Sequence, residues 1–90
     1  MSNQERIDKI RQCLQDALRP DQLDIRDDSH LHVGHVGARD GRGHFHVRIV
    51  SQTFAGQGTL ARHRRVYEAL GSLMESDIHA LQIQALTPEE

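Results

Sequence analysis

The chain has 90 residues, of which 37% are hydrophobic, with one cysteine and a formal net charge of −2. This length suits one small domain, because so short a chain buries only about 60% of its unfolded surface. The charge balance argues against the general nucleic-acid or membrane affinity that a basic excess gives. A single cysteine forms no internal disulfide, which favours a reducing compartment. Since no signal peptide or membrane-spanning run is visible, we expect a cytoplasmic protein.

Two elements are predicted in the first third of the chain, a helix and a strand. The helix covers residues 2–18, where apolar residues recur at spacings of three and four and form one stripe. Pro20 ends it, because the residue before a proline is disfavoured in the helical conformation. Cys13 lies at the edge of the stripe and is interpreted as a half-buried structural thiol. Residues 22–28 alternate between apolar and polar, which predicts a strand with one buried side.

A second strand is predicted over residues 44–51, after a loop of about fifteen residues that is rich in histidine and glycine. Its alternation directs Phe45, Val47 and Ile49 to the core and His44 to the opposite side. We expect the two strands to pair antiparallel. Loops of this length are uncommon unless they are functional or disordered.

The second half of the chain is predicted to contain a turn or short helix, then a helix and a last strand. The turn is anchored by Phe54, and the helix covers residues 59–74. Its apolar positions, which we expect to face the core, are Leu60, Val66, Tyr67, Leu70, Leu73 and Met74. The strand covers Ile78–Leu86, where His79 is in phase with Leu81 and is expected to be partly buried. Three strands with helices packed on one face make a small α+β domain.

Histidines are concentrated between residues 28 and 50, and histidine is the commonest metal ligand. The five in this stretch are His30, His32, His35, His44 and His46. His44 and His46 are two positions apart on a strand, which places their imidazoles on one face about 7 Å apart, a spacing compatible with a shared metal. No cysteine pair completes a four-ligand zinc site. The same histidines therefore also fit a solvated polar loop and strand face.

A basic cluster lies in the early part of the second predicted helix. It consists of Arg62, His63, Arg64 and Arg65. Positive charge near a helix N-terminus opposes the macrodipole, and tolerance of that penalty indicates an anionic partner, either phosphate or an acidic protein surface. The alternative is a solvated helix face with His63 packed inward. No catalytic motif is recognisable, so we predict a protein that is not an enzyme.

Several motifs resemble the BolA family in order and spacing, from about residue 7 to residue 89. They are Asp28-Ser29-His30, His44-Phe45-His46-Val47, Phe54-Ala55-Gly56, Arg62-His63-Arg64-Arg65-Val66-Tyr67 and Ile78-His79-Ala80-Leu81. The resemblance implies an α+β fold similar to the class II KH domain, with the order α-β-β-α-α-β. That order agrees with the elements predicted above.

The resemblance also implies a partner and a cofactor. BolA-like proteins pair with monothiol glutaredoxins and share a [2Fe-2S] cluster, in which the glutaredoxin cysteine and a glutathione thiol hold one side. His79 and a second His or Cys from the loop between the first two strands would hold the other side. His44 is the first choice for that second ligand because a strand fixes its direction, and His32 and His35 are the alternatives. A chain whose one cysteine lies elsewhere requires such a thiol-bearing partner.

Two other functions stay open. BolA-like proteins have also been described as transcriptional regulators that bind DNA, and Arg62, Arg64 and Arg65 would then contact phosphates with weak, salt-dependent affinity. The loop histidines would alternatively make a simple metal-binding domain that needs no partner. We expect the free protein to be a monomer or a weak homodimer.

Overall fold

The computed structural model describes residues 3–29 and 43–90. Their elements are α1 (Asn3–Leu18), β1 (Gln22–Asp27), β2 (Gly43–Val50), a 3-10 turn (Gln52–Phe54), α2 (Thr59–Leu70), α3 (Leu73–Ser76) and β3 (Ile78–Leu86). The predicted α+β class, with three strands and helices, is confirmed. The class II KH-like label stays a prediction. No helix in the described ranges is long and apolar enough to cross a membrane.

β2 is the central strand of the described sheet, with β1 on one side and β3 on the other. β1 pairs antiparallel with β2, as the sequence predicted, and in the observed register Leu23 lies opposite Ile49. β3 pairs parallel with β2, and Leu81 lies opposite Phe45. A parallel pair needs a crossover connection, which α2 and α3 supply. The sheet is therefore mixed.

The core lies between one face of the sheet and the helices α1 and α2. Phe45, Val47 and Ile49 are at most 2% exposed, which confirms the predicted inner face of β2. The helical residues that pack in the same cluster are Ile10, Leu14, Leu18, Val66 and Leu70. Phe54 is fully buried and anchors the 3-10 turn, as predicted, and Cys13 is half-buried against the core.

The predicted helix over residues 59–74 is in fact two helices. Gly71 separates α2 from α3 with a φ of 54°, a conformation that glycine adopts without steric penalty, and its N–H donates to the carbonyl of Tyr67. Leu60 and Tyr67 were expected to face the core and are instead 66% and 41% exposed. Both lie about 100° or more around the helix from Val66, outside the stripe that faces the sheet.

That inward stripe contains an arginine. Arg62, Val66 and Leu70 are four residues apart and therefore lie on one side of α2. Val66 and Leu70 are buried, and the side chain of Arg62 is only 14% exposed. The helix thus places a partly buried charged residue at the edge of the core, where it requires internal partners.

Candidate functional site

His44 of β2 and His79 of β3 lie side by side, with ring centroids 5.1 Å apart and an angle of 53° between the rings. His44 is 5% exposed, so the solvated strand face that was the alternative interpretation does not describe it. His79 is exposed, and the expectation that it would be partly buried is wrong. The structure therefore brings together one buried and one accessible imidazole.

A β-bulge explains the position of His79. Gly43 pairs with Ile78, but His44 pairs with Ala80, so His79 is an extra residue in the ladder. The extra residue shifts the alternation, and Ile78 and Leu81, three residues apart, both pack on the core. His79 is therefore out of phase with Leu81, contrary to the prediction from a strict period of two.

Gly43 fixes the start of β2 beside the bulge. A Cβ atom at this position would overlap the ring of Phe45, which is 2% exposed and has little room to move. The N–H of Gly43 donates to the carbonyl of Asp77, the residue before β3, at 3.0 Å. Only glycine fits this close approach without displacing a core aromatic ring.

Polar contacts hold the backbone of His44 on both sides. Its N–H donates to Oγ of Ser29 at 3.0 Å, and its carbonyl accepts from the N–H of Asp28 at 2.8 Å. The N–H of Ser29 in turn donates to Oδ1 of Asp27 at 2.9 Å, and Nδ2 of Asn3 donates to Oδ2 of Asp27, also at 2.9 Å. The direction of His44 is therefore set by the end of β1 and the first turn of α1.

One of the remaining histidines of the predicted set lies within the described residues. His46 is on β2, opposite Arg26 of β1, and is partly buried. His30, His32 and His35 lie outside the described residues. Within residues 3–29 and 43–90, no group of three or more His, Cys, Asp or Glu is placed to hold a metal. A four-ligand site built on the two adjacent imidazoles therefore takes further donors from outside this set.

The anionic partner of Arg62 in the structure is a carboxylate of the same chain. Arg62 donates to both carboxylate oxygens of Glu90, at 2.5 and 3.1 Å, and to the carbonyls of Gln57 at 2.8 Å and Ala85 at 3.0 Å. The guanidinium and the N–H of Thr87 together lower the pKa of Glu90 to about 2. Arg62 thereby holds residues 87–90 against the start of α2.

The other members of the basic cluster differ in exposure. Nε of Arg65 donates to Oε1 of Gln57 at 2.8 Å, with the side chain otherwise exposed. Arg64 is exposed, and His63 is partly buried. Arg64 and Arg65 are therefore the members that face solvent, in contrast to Arg62.

Exposed apolar residues flank this positive charge. Leu60 is four residues before Arg64 and Tyr67 is three residues after it, so the three lie along one side of α2. The side chains of Leu60 and Tyr67 are the large hydrophobic ones that are exposed in the described part of the chain. This side of α2 therefore combines apolar and cationic groups at the surface.

A family model described as BolA-like protein matches residues 14–90. The chain is 41% identical over 87 residues to "SufE-like protein 1, chloroplastic/mitochondrial" of Arabidopsis thaliana, covering 91% of this chain and 24% of that protein. It is 40% identical over 90 residues to "Protein BOLA1, chloroplastic" of the same plant, covering 97% of this chain and 56% of that protein. The chain thus spans about a quarter and just over half of the lengths of these two relatives.

A solved structure agrees with these sequence matches. The BolA domain of SufE1 from Arabidopsis thaliana superposes with a TM-score of 0.82 at 40% identity, covering 93% of each chain. The names of the two curated relatives place those proteins in organelles. The cytoplasmic location that the composition favours for this chain stays a prediction.

Proposed function

We propose that this chain, which belongs to the BolA-like protein family, is the histidine-bearing partner of a monothiol glutaredoxin and shares a [2Fe-2S] cluster with it. His79 and His44 bind one iron, and the glutaredoxin cysteine and a glutathione thiol bind the other. The observation that carries this proposal is the 5.1 Å approach of two imidazoles from different strands. Such a protein serves iron–sulfur trafficking or iron-dependent regulation and is not itself an enzyme.

The donors present in the chain fit one half of such a cluster. Two imidazole nitrogens replace two thiolates on one iron in known [2Fe-2S] centres, and this replacement raises the reduction potential. Cys13 lies on α1 and packs against the core, so it is part of the scaffold. The thiolates for the second iron therefore come from another molecule.

The difference in exposure between the two histidines fits a cluster that is shared across an interface. His79 is accessible, which a ligand that meets a partner must be. His44 is 5% exposed, and both of its backbone polar groups are hydrogen-bonded. Because His44 is already ordered, less conformational entropy is lost when the cluster binds.

Single substitutions of histidine test the ligand assignment. Each variant is mixed with a monothiol glutaredoxin, iron, sulfide and glutathione, and the visible CD spectrum is recorded. We expect His79→Ala and His44→Ala to lose the mixed-ligand spectrum, because each removes a ligand of one iron. The matched control is His46→Ala, which removes an imidazole from the same strand two residues away.

The outcomes of this series separate the alternatives. A wild-type spectrum for His79→Ala contradicts the proposal. His32 and His35 remain proposed alternatives for the second ligand, and His32→Ala and His35→Ala therefore belong to the series. Loss of the spectrum in one of these two, with retention in His44→Ala, assigns the second ligand to the loop.

DNA binding is the second candidate function, and the exposure of Arg64 and Arg65 favours it. The net charge of −2 predicts weak, strongly salt-dependent affinity. Substitution of Arg64 and Arg65 with Ala should reduce the salt slope of duplex binding by about one unit for each phosphate that the variant no longer neutralises. No measurable binding to duplex DNA at low salt removes this candidate.

A further inference from the structure

Asp77 is a buried acid at the point where β3 begins. It is 6% exposed, and its carboxylate lies 3.7 Å from Nζ of Lys9 and 4.0 Å from Nε of Arg6, both on α1. The side chain of Arg6 is 13% exposed and that of Lys9 is 46% exposed. A buried carboxylate is unfavourable unless cations compensate its charge, so this acid depends on α1.

The backbone of Asp77 forms the corner between α3 and the sheet. Its N–H donates to the carbonyl of Leu73 at 2.9 Å, and its carbonyl accepts from the N–H of Gly43 at 3.0 Å. The next residue, Ile78, makes the first pair of the β2–β3 ladder with Gly43, and the bulge follows at once. Asp77 therefore joins three parts of the fold where the ladder is irregular.

Both histidines are close to this corner in sequence. His79 is two residues after Asp77, and His44 is one residue after Gly43. The carboxylate of Asp77 lies within ion-pair distance of two cations of α1, and its carbonyl accepts a hydrogen bond from the first residue of β2. Asp77 therefore contacts both α1 and β2 at the start of β3. A bulge redirects the side chains next to it, and the residues that fix the bulge also fix their directions.

The same side of α1 also supports His44. Asn3 accepts from Nη1 of Arg6 at 3.0 Å and donates from Nδ2 to Oγ of Ser29 at 3.3 Å, and Ser29 accepts from the N–H of His44. Arg6 is three residues from Asn3 and three from Lys9, so it is a neighbour of both on the helix surface. Arg6 thus lies between the residue that supports Ser29 and the residue that pairs with Asp77.

We infer that Asp77, held by Arg6 and Lys9, is a positioning residue for the His44–His79 pair. The ion-pair cluster fixes the bulge that brings His79 next to His44, so that the two imidazoles are preset for one iron. Groups that orient metal ligands change metal affinity by about 10- to 100-fold when they are removed. The consequence for a cluster rests on the proposed function, whereas the effect on the two rings concerns the free protein.

Asp77→Asn tests this role because it removes the charge and keeps the shape of the side chain. The first readout is NMR of the free protein, through the cross-peak between the ring protons of His44 and His79. We expect the cross-peak to disappear while the spectrum remains dispersed. The matched control is Asp8→Asn, which removes the same charge from the exposed side of α1, and Asp77→Glu should restore the signal.

The second readout is reconstitution of the cluster with a glutaredoxin. Asp77→Asn should weaken cluster binding by about 10-fold or more relative to Asp8→Asn. If wild-type protein forms no cluster, the proposed function fails, and the cross-peak alone decides the role of Asp77. An unchanged cross-peak in folded Asp77→Asn overturns the inference, because a merely stabilising residue leaves the rings in place.

A milder variant covers the case in which Asp77→Asn does not fold. Lys9→Gln removes one cation whose side chain is half exposed, so the fold should be retained. We expect a weakened cross-peak between the two rings and an intermediate decrease in cluster binding. Wild-type values for both measurements in Lys9→Gln would then overturn the inference.

Discussion

At the start of the β2–β3 ladder, buried Asp77 pairs with Arg6 and Lys9 at 3.7 to 4.0 Å. At the far end of the ladder, the half-exposed carboxylate of Glu90 pairs with Arg62 at 2.5 to 3.1 Å. Within residues 3–29 and 43–90, Nε of Arg6 and Oδ2 of Asp77 are buried atoms without a hydrogen bond. Asp77 therefore interacts with Arg6 and Lys9 through charge attraction alone. Glu90, by contrast, is held by direct hydrogen bonds from Arg62.

The ladder differs between the same two ends. It is irregular at Gly43 and His44 and regular from Phe45 to Val50. Salt screens exposed charges more than buried ones, and the Asp77 carboxylate is buried whereas that of Glu90 is half exposed. Salt should therefore weaken the Arg62–Glu90 ion pair more than the ion pairs of Asp77. The fold therefore places the irregular end of the ladder, with its longer ion pairs, at the candidate metal ligands, and the regular, directly hydrogen-bonded end at residues 87–90.

The largest expected effect on stability is at the irregular end. Gly43→Ala places a Cβ atom against the ring of Phe45 and should lower the free energy of unfolding by about 1–3 kcal/mol, as overpacking of cores does. Urea unfolding measures this change. Gly58→Ala is the control, since a Cβ there has nothing within 4 Å, and it should change stability by less than about 1 kcal/mol. Equal effects of both substitutions would contradict the close approach at Gly43.

The second-largest expected effect is the loss of Arg62, at the regular end of the β2–β3 ladder. Arg62→Ala should lower the Tm because the carbonyls of Gln57 and Ala85 and the carboxylate of Glu90 lose their donor. Arg64→Ala, on the exposed side of the same helix, should change stability by no more than about 0.5 kcal/mol. Added salt should reduce the difference in Tm between the two variants, because it weakens the ion pair that Arg62→Ala removes. Equal Tm values for both variants would show that Arg62 does not hold residues 87–90 against α2.

The smallest expected effect is the pH dependence of the Arg62–Glu90 ion pair. The pKa of Glu90 is lowered from 4.5 to about 2 in the folded chain, so the unfolded chain binds the proton more tightly. Its stabilising contribution is therefore present above pH 4.5 and is lost as pH falls toward 2. The difference in Tm between wild type and Glu90→Gln should shrink over that window, whereas a difference that is constant with pH would contradict the ion pair. Glu89→Gln is the control, because it removes the same charge from the neighbouring residue.

Much of the fold was readable from local patterns. The alternation of β2 identified its buried face, and the order of elements identified the α+β class. Two missed features also had a local signal: Gly71-Ser72 interrupts the predicted helix, and the spacing of Arg62, Val66 and Leu70 places that arginine on the inward stripe. A pattern that counts only apolar residues does not register an arginine that is partly buried.

Other features have no local signal. The pairing of β3 with β2 and the bulge at His79 depend on contacts between distant parts of the chain, and strict alternation placed His79 on the wrong side. Asp77 reads as an ordinary turn residue, because its partners Arg6 and Lys9 are at the other end of the chain. The resemblance to a family named His79 and left His44, His32 and His35 open as the second ligand, and the contacts that support His44 are visible only in the structure.

The parallel pairing of β2 with β3 has a consequence for folding. Such a pair is closed only after the intervening α2 and α3 cross over the sheet, and contacts of this kind, distant in sequence, form slowly. The candidate ligands His44 and His79 therefore meet only when the last strand has docked. A partly folded chain lacks this pair of adjacent imidazoles, so any function that needs both rings depends on completion of the fold.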